Sequence, residues 1–170
     1  MLTFDTALGT CGITWSDVGI TGVLLPGMRG LTRRAALSPT VVPDAIHDTV
    51  TAIVTLLDGE HTDLRAVVLD EIGIDPFRRR VYAATREIAP GATASYGDIA
   101  RAIGKSDAPR AVGHALGENP YPIVVPCHRV LSAAGALHGF SAPGGIATKR
   151  RMLEIERAHG FTQLSFLQAS

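Results

Sequence analysis

Residues 95–117, SYGDIARAIGKSDAPRAVGHALG, contain the signals for two short helices in close succession. The first helix should begin at Ser95, because a Ser with Asp98 three positions later has the spacing of a capping box. In that motif the hydroxyl and the acid satisfy N–H groups that the start of a helix leaves free. The helix should continue through Ile103 and end at Gly104.

The second helix is predicted over about 108–116. Ser106 or Asp107 is in position to cap its start, and Gly117 follows as a stop signal. Two short helices joined by a tight, glycine-containing turn are typical of a helix-turn-helix. Most such pairs are only packing units, so the pattern alone indicates DNA binding weakly.

The second helix has small residues where a solvent-facing helix usually has Lys and Glu. Ala108, Ala111 and Gly113 would let its backbone approach another surface closely, and Arg110 lies among them. A helix that recognises the major groove presents Arg, Asn or Gln to base edges, whereas one Arg among small residues suits the narrower minor groove. Close packing against another helix explains the same composition equally well.

A longer helix is predicted before this pair. Asp75 is a candidate N-cap, and Pro76 suits the first helical position. Pro90-Gly91 should end the helix. Apolar residues at helical spacing mark its inner face, namely Phe77, Val81, Ala84 and Ile88.

The first 74 residues indicate a small β-rich unit with one helix. The helix should begin at Asp44 and stop at Gly59. Its apolar face comprises Ile46, Val50, Ile53, Val54 and Leu57. Strands are predicted at 3–6, 11–15, 19–25 and 64–69.

The chain of 170 residues fits one domain, or two small domains that share a core. We predict an α+β fold, with an N-terminal domain over 1–74 and a mainly helical C-terminal domain over 75–170. No apolar run approaches the length of a membrane span, and Met1–Asp5 lacks the features of a secretory signal. We therefore expect a cytoplasmic protein with no membrane partner.

The net charge of zero conceals an asymmetry. Residues 1–75 contain four Lys or Arg and ten Asp or Glu, a balance of −6, whereas residues 76–170 contain twelve and six, a balance of +6. A basic second half suggests a polyanionic partner, although chance solvation of the surface explains the charges too. Cys11 and Cys127 form no CxxC pair and have no His at zinc-finger spacing, so free thiols and no metal site are expected.

Cys127 follows the apolar run Ile123–Val125, at the end of a proline-rich stretch that cannot form regular helix. Most cysteines in such places are inert core residues. A cysteine nucleophile needs surroundings that stabilise its thiolate, and we expect Cys127 to be held ionised in this way. His128 is adjacent, but neighbouring extended residues point to opposite sides, so a water bridge is more plausible than direct contact. A carboxylate behind the His would complete a Cys-His-acid arrangement. A last helix is predicted over 148–159, and Glu154 and Glu156 on it are both candidates.

The stretch from about Pro76 to Glu156 resembles the C-terminal domain of the O6-alkylguanine-DNA alkyltransferases, also called methylated-DNA–protein-cysteine methyltransferases. The matching motifs, all at the family's spacing, are Ser95-Tyr96, Arg110-Ala111-Val112-Gly113, Asn119-Pro120 and Pro126-Cys127-His128-Arg129-Val130. The first 75 residues are similar only in general layout. The resemblance implies an RNase H-like N-terminal domain and a winged helix-turn-helix in the C-terminal domain.

The resemblance also implies a role for each matching residue. Cys127 corresponds to the nucleophile that accepts the alkyl group, and His128 to the base that deprotonates it through water. Glu156, preferred to Glu154 by the family's register, corresponds to the acid behind the His. Asn119 corresponds to the residue that braces the active-site turn.

For DNA, the resemblance implies a minor-groove complex with a duplex that contains O6-alkylguanine, and flipping of the damaged nucleotide. Arg110 looks like the finger that replaces the flipped guanine, and Tyr96 like the residue that presses on the 3′ phosphate. Ala108, Ala111 and Gly113 would face the groove. The pocket for the alkylated guanine is expected to comprise Leu116, Pro122, Val130, Phe140 and Ser141.

Transfer to a thiol gives a thioether that water cannot hydrolyse, so the protein should act once and without cofactor. We also expect it to be a monomer in the absence of DNA. Phe140 stands where many relatives have Tyr, and Ala142-Pro143 looks like a short insertion. Both could change which alkyl groups fit. Three alternatives are an alkylation-damage sensor without transfer, a winged-helix regulatory module in which Cys127 is structural, and a cysteine hydrolase.

Overall fold

The computed structural model describes residues 1–31, 41–137 and 139–159. Parts of both predicted domains, namely 32–40, 138 and 160–170, lie outside these ranges. Within the described residues the fold is a mixture of helix and strand, as predicted. No described helix is long and apolar enough to cross a membrane.

Three antiparallel strands form a sheet at the start of the chain, in the order β1-β2-β3. They are β1 (Leu2–Thr6), β2 (Gly9–Trp15) and β3 (Ile20–Leu24), which confirms the first three predicted strands. Residues 64–69 do not form the predicted fourth strand. Only one isolated bridge joins Leu69 to Ile20, because the rest of the β3 edge is used elsewhere: the N–H of Val23 donates to the carbonyl of Pro120 at 2.9 Å.

Helix α1 (Asp44–Leu57) begins at the predicted residue and buries one face, including Ile46, Ile53 and Leu57, in the core. Helix α2 (Pro76–Arg86) also begins as predicted. The side chain of Asp75 accepts hydrogen bonds from the N–H groups of Phe77 and Arg78. The helix ends two residues before Ile88, the last position of the predicted apolar face.

Strand β4 (Ala94–Ser95) leads directly into α3 (Tyr96–Ala102), and the predicted capping box is present. Ser95 N–H donates to the Asp98 carboxylate at 2.7 Å, and Asp98 N–H donates to the Ser95 hydroxyl at 3.1 Å. Helix α4 (Pro109–Gly117) follows and packs against α3 and α2. The two-helix pattern of residues 95–117 is therefore confirmed.

The predicted cap of α4 is wrong. Ala108 occupies the N-cap position, and neither Ser106 nor Asp107 makes a side-chain cap bond. Pro109 at the first helical position has no N–H to satisfy, and Ala108 N–H is bonded to the Lys105 carbonyl at 2.9 Å. These features reduce the need for a side-chain cap.

After a 3₁₀ turn (Cys127–Arg129) come β5 (Val130–Leu131), which pairs in parallel with β4, and α5 (Ile146–Ile155). Helix α5 was predicted over 148–159 and ends earlier. Arg157 adopts a left-handed conformation with φ of 52°, and Ala158 N–H donates back to the carbonyl of Leu153 at 2.9 Å. This termination leaves Glu156 at the C-cap, where its side chain turns into the core.

One main hydrophobic core joins the N-terminal sheet and α1 to the later helices and to Cys127. Tyr121, which is 1% exposed, belongs to this core, and its hydroxyl donates to the carbonyl of Asp70 at 2.5 Å. The first half of the chain is thus packed directly against the segment that leads to Cys127.

Candidate active site

The segment 119–129 is a compact turn held by its own hydrogen bonds. Asn119 has the central place in it: its side-chain N–H₂ donates to the Val125 carbonyl at 2.9 Å, and its carbonyl oxygen accepts from Tyr121 N–H at 2.9 Å. Ile123 has a φ of 75°, which is strained for a β-branched residue. The prolines of this segment prevent regular helix and leave these bonds to determine its shape.

Cys127 begins the 3₁₀ turn and is 9% exposed. The Asn119 side-chain nitrogen lies 3.3 Å from the Cys127 sulfur. Asn119 therefore contacts both the backbone of the turn and the thiol.

Behind Cys127 lies a buried cluster of ionisable side chains. Nε2 of His128 lies 2.9 Å from Oε1 of Glu156. Arg129 donates to both oxygens of the same carboxylate, each at 2.8 Å. His128 and Glu156 are 0% and 1% exposed. Glu154, the other candidate acid, is exposed on α5.

The charge states of this cluster follow from burial and pairing. Burial alone would raise the pKa of Glu156, but His128 and Arg129 outweigh it and lower the pKa to about 2. Burial lowers the pKa of His128 despite the attraction of Glu156. The resting state at neutral pH is thus an ionised Glu156 beside a neutral imidazole.

An ionised carboxylate can only accept hydrogen bonds, so Nε2 of the neutral His128 must hold its proton toward Glu156. Nδ1 then has a free lone pair. It is buried and accepts no hydrogen bond from the part of the chain that the structure describes. The imidazole is therefore oriented as a base whose accepting nitrogen is Nδ1.

The Cys127 thiol is not ionised at rest. Burial raises its pKa, while the Asn119 hydrogen bond and the charge of Lys149 act in the opposite direction without overcoming burial. The prediction that the surroundings hold the sulfur as a thiolate is therefore wrong for the resting protein. A neutral thiol resists oxidation and unspecific alkylation, because the thiolate is the reactive form.

Lys149 is a site residue that the sequence did not identify. It is 1% exposed, and its ammonium donates to the Val130 carbonyl at 2.7 Å. Burial lowers its pKa to about 8, and the nearby Cys127 acts in the opposite direction. The available signal was its position on α5, three and four residues before the buried Met152 and Leu153.

A cavity of about 800 Å³ opens in front of Cys127. The predicted residues that line it are Tyr96, Arg110, Gly113, Leu116, Cys127, Phe140 and Ser141. Burial raises the pKa of Tyr96, so its hydroxyl keeps its proton at neutral pH. The volume lies within the range typical of small-molecule sites.

Two residues predicted for the pocket do not line this cavity. Val130 is 0% exposed in β5, and its carbonyl faces Lys149. Pro122 is buried within the turn before Cys127. Both lie in the segments on either side of the cysteine, outside the lining of the cavity.

Helix α4 has its small residues and the exposed side chain of Arg110 near the mouth of the cavity. Arg110 is exposed, and it makes no hydrogen bond or ion pair with any residue that the structure describes. Arg101, in contrast, is paired with Asp98. Ala111 is exposed on α4, and Ala108 is partly exposed at its start.

Comparison with known proteins gives consistent matches. Residues 76–158 match the family model described as 6-O-methylguanine DNA methyltransferase, DNA binding domain. The chain is 35% identical over 145 residues to a methylated-DNA–protein-cysteine methyltransferase of Methanothermobacter thermautotrophicus, covering 85% of this chain and 78% of that protein. It is 44% identical over 123 residues to the Mycobacterium tuberculosis protein of the same name, covering 72% of each.

Solved structures agree with these sequence matches. The crystal structure of M. tuberculosis O6-methylguanine methyltransferase superposes with a TM-score of 0.75 at 37% identity, covering 91% of this chain and 90% of that chain. The M. tuberculosis protein in complex with DNA gives a TM-score of 0.70 at 35% identity, with 91% of each chain covered.

Proposed function

We propose the function of this chain from its family: it belongs to the methylated-DNA–protein-cysteine methyltransferases. It is a DNA-repair protein that transfers an alkyl group from O6-alkylguanine in DNA to its own cysteine. The observation that supports Cys127 as the acceptor is its position, with the thiol at a cavity of suitable size and an enclosed His128–Glu156 pair behind it.

In the proposed reaction the sulfur of Cys127 attacks the alkyl carbon and forms a C–S bond. The bond from that carbon to O6 breaks, and its electron pair stays on guanine. A water molecule passes the thiol proton to Nδ1 of His128, and the resulting imidazolium is stabilised by Glu156. The departing guanine would take up one proton from the Tyr96 hydroxyl, and the imidazolium would return its proton to Tyr96 through water, so the net reaction moves the thiol proton to guanine.

The raised pKa of the Cys127 thiol and the lowered pKa of His128 have a mechanistic consequence. Proton transfer between them is unfavourable in the resting protein. It becomes favourable only as the sulfur forms its new bond, which couples activation of the nucleophile to a bound substrate. Asn119 contributes by holding the turn and donating to the sulfur.

For DNA binding we propose that α3 and α4 act as a helix-turn-helix, with a wing, that docks in the minor groove. Ala108, Ala111 and Gly113 would let α4 approach the DNA closely. This approach would place Arg110 at the damaged base pair. Arg110 would occupy the space of the flipped guanine and offset part of the unstacking cost. Tyr96 would press on the 3′ phosphate.

The remaining expectations complete the proposal. The N-terminal domain over 1–74 would have an RNase H-like layout and the C-terminal domain over 75–170 would contain the site. The protein would act in the cytoplasm, without cofactor, and as a monomer when DNA is absent. The alternatives without transfer have no supporting observation.

The transfer is tested by mass spectrometry after incubation with a duplex that contains O6-methylguanine. We expect a mass gain of one CH₂ unit, confined to the peptide that contains Cys127. The matched variants are Cys127→Ser and Cys11→Ser. Both cysteines are buried, so a difference between the variants reports the reactivity of the thiol and not its burial. Cys11→Ser should react normally and Cys127→Ser not at all. Repeated turnover by substoichiometric protein would contradict the mechanism.

A further inference from the structure

The outer wall of the active-site cavity is a loop without regular structure. Gly139, Phe140 and Ser141 line the cavity, and Ala142-Pro143 follows directly before the glycines that precede α5. Phe140 is partly buried against the core, so its ring forms an apolar part of this wall. The position of this loop therefore affects the width of the cavity.

Three hydrogen bonds hold the loop in place, and all of them are made within the C-terminal half of the chain. The Ser141 hydroxyl donates to the Gly117 carbonyl at 2.9 Å, at the end of α4. Gly145 N–H donates to the Ala142 carbonyl at 2.9 Å, and the Thr148 hydroxyl donates to the Pro143 carbonyl at 2.7 Å. These bonds set the path of the backbone, and none of them involves the ring of Pro143.

The Pro143 ring contacts the turn after β3, across the boundary between the two halves. A Cβ atom added to Gly27 would lie 3.2 Å from Cβ and 3.6 Å from Cγ of Pro143, so the two residues are in close contact. Gly27 has a φ of 80°, a conformation that favours glycine. The turn is itself held in place, because Pro26 packs in the same way against Gly9.

We propose that the Pro143–Gly27 contact is a specificity-determining element. It holds the Phe140–Ser141 wall in the position that accepts bulky, aromatic groups on guanine O6, and it makes the N-terminal half part of substrate selection. This inference rests on the proposed function. A methyl group ends near the sulfur, whereas a benzyl group extends toward the wall and gains contact with it. A wall that is already ordered spares the cost of ordering it on binding.

The test compares single-turnover alkylation of Cys127 by duplexes that contain O6-methylguanine or O6-benzylguanine. Pro143→Gly removes the contact at an exposed position. The benzyl rate should fall about fivefold, the cost of ordering one or two side chains, and the methyl rate should stay within about twofold. Gly27→Ala, which displaces Pro143 from the other side, should cause the same selective loss.

The double variant Gly27→Ala/Pro143→Gly should lose no more than the larger single loss, because Gly27→Ala acts through the Pro143 ring, which the double variant lacks. Pro43→Gly is the matched control: it is an exposed proline at the start of α1, outside the loop, and should leave both rates unchanged. Equal losses on both substrates, or an unchanged benzyl rate, would overturn the proposal while leaving the transfer intact. Absence of methyl transfer by the unmodified chain would overturn the proposed function itself.

Discussion

At the scale of single residues, the buried cluster behind Cys127 shows how neighbours decide chemical state. The sulfur, the imidazole and the carboxylate are all removed from water, yet only Glu156 is ionised. It has Arg129 on both oxygens, whereas His128 and Cys127 have no charged hydrogen-bond partner strong enough to offset burial. Buried charges persist only when paired, and the pairing here leaves a neutral base with its accepting nitrogen free.

Acid should destabilise the fold in two stages. Burial lowers the pKa of His128 below its ordinary 6.5, so below that pH the unfolded chain binds a proton that the folded chain does not. For Glu156, burial is outweighed by His128 and Arg129, and its pKa falls from 4.5 to about 2. Both contributions to stability are therefore present above the unfolded-state pKa and lost as the pH falls.

Thermal unfolding measured by circular dichroism should show the melting temperature falling between about pH 7 and pH 5, and again below about pH 4.5. The control His47→Asn changes an exposed histidine and should leave the profile unchanged. A melting temperature that stays constant between about pH 7 and pH 5 would contradict the buried, neutral state of His128.

At the scale of elements, the sequence of the pair α3–α4 determines both where the helices form and which side chain faces outward. The capping box determines where α3 begins, and burial of Val112, Ala115 and Leu116 determines which side of α4 faces inward. Arg110 then has to lie on the outward side, where no described residue neutralises it. An exposed, unpaired Arg on a helix of small residues is suited to a polyanion.

The proposed flipping role of Arg110 predicts a difference between substrates. Arg110→Ala should slow repair of O6-methylguanine in a duplex by about tenfold or more, because flipping costs a few kcal/mol that the guanidinium helps to offset. Reaction with free O6-benzylguanine needs no flipping and should change little. Arg101→Ala is the matched control, since Arg101 also lines the cavity but is paired with Asp98. Equal losses on both substrates would remove Arg110 from this role.

At the scale of the whole molecule, the N-terminal half acts as a support for the active-site turn. Its sheet edge is bonded to Pro120, and the carbonyl of Asp70 accepts from the Tyr121 hydroxyl. Tyr121 N–H in turn donates to the side chain of Asn119, which contacts the sulfur. A continuous set of contacts therefore joins the first half of the chain to Cys127.

This arrangement predicts different results for two buried tyrosines. Tyr121→Phe and Tyr82→Phe each remove one buried hydrogen bond, to Asp70 and to Ala115, and each should lower the free energy of unfolding by about 1–2 kcal/mol in urea titrations. Only Tyr121→Phe should also slow alkylation, because only Tyr121 joins the turn of Asn119 to the N-terminal half. Equal rates for the two variants would show that this link does not position the site.

The sequence by itself determined the local features: the first three strands, the starts of α1 and α2, the capping box at Ser95, and the motif around Cys127. Each depends on residues a few positions apart, so spacing is sufficient to predict it. It also favoured Glu156 over Glu154, but only through the resemblance. Nothing local distinguished two acids on the same helix.

Only the tertiary structure decided which distant groups meet. It showed that residues 64–69 form no strand, that Lys149 is buried beside Cys127, and that Pro143 packs on Gly27. It also showed a thiol that is neutral at rest. Strand pairing, burial and pKa depend on neighbours that lie far apart in the chain, and their distances are determined when the two halves close around one core.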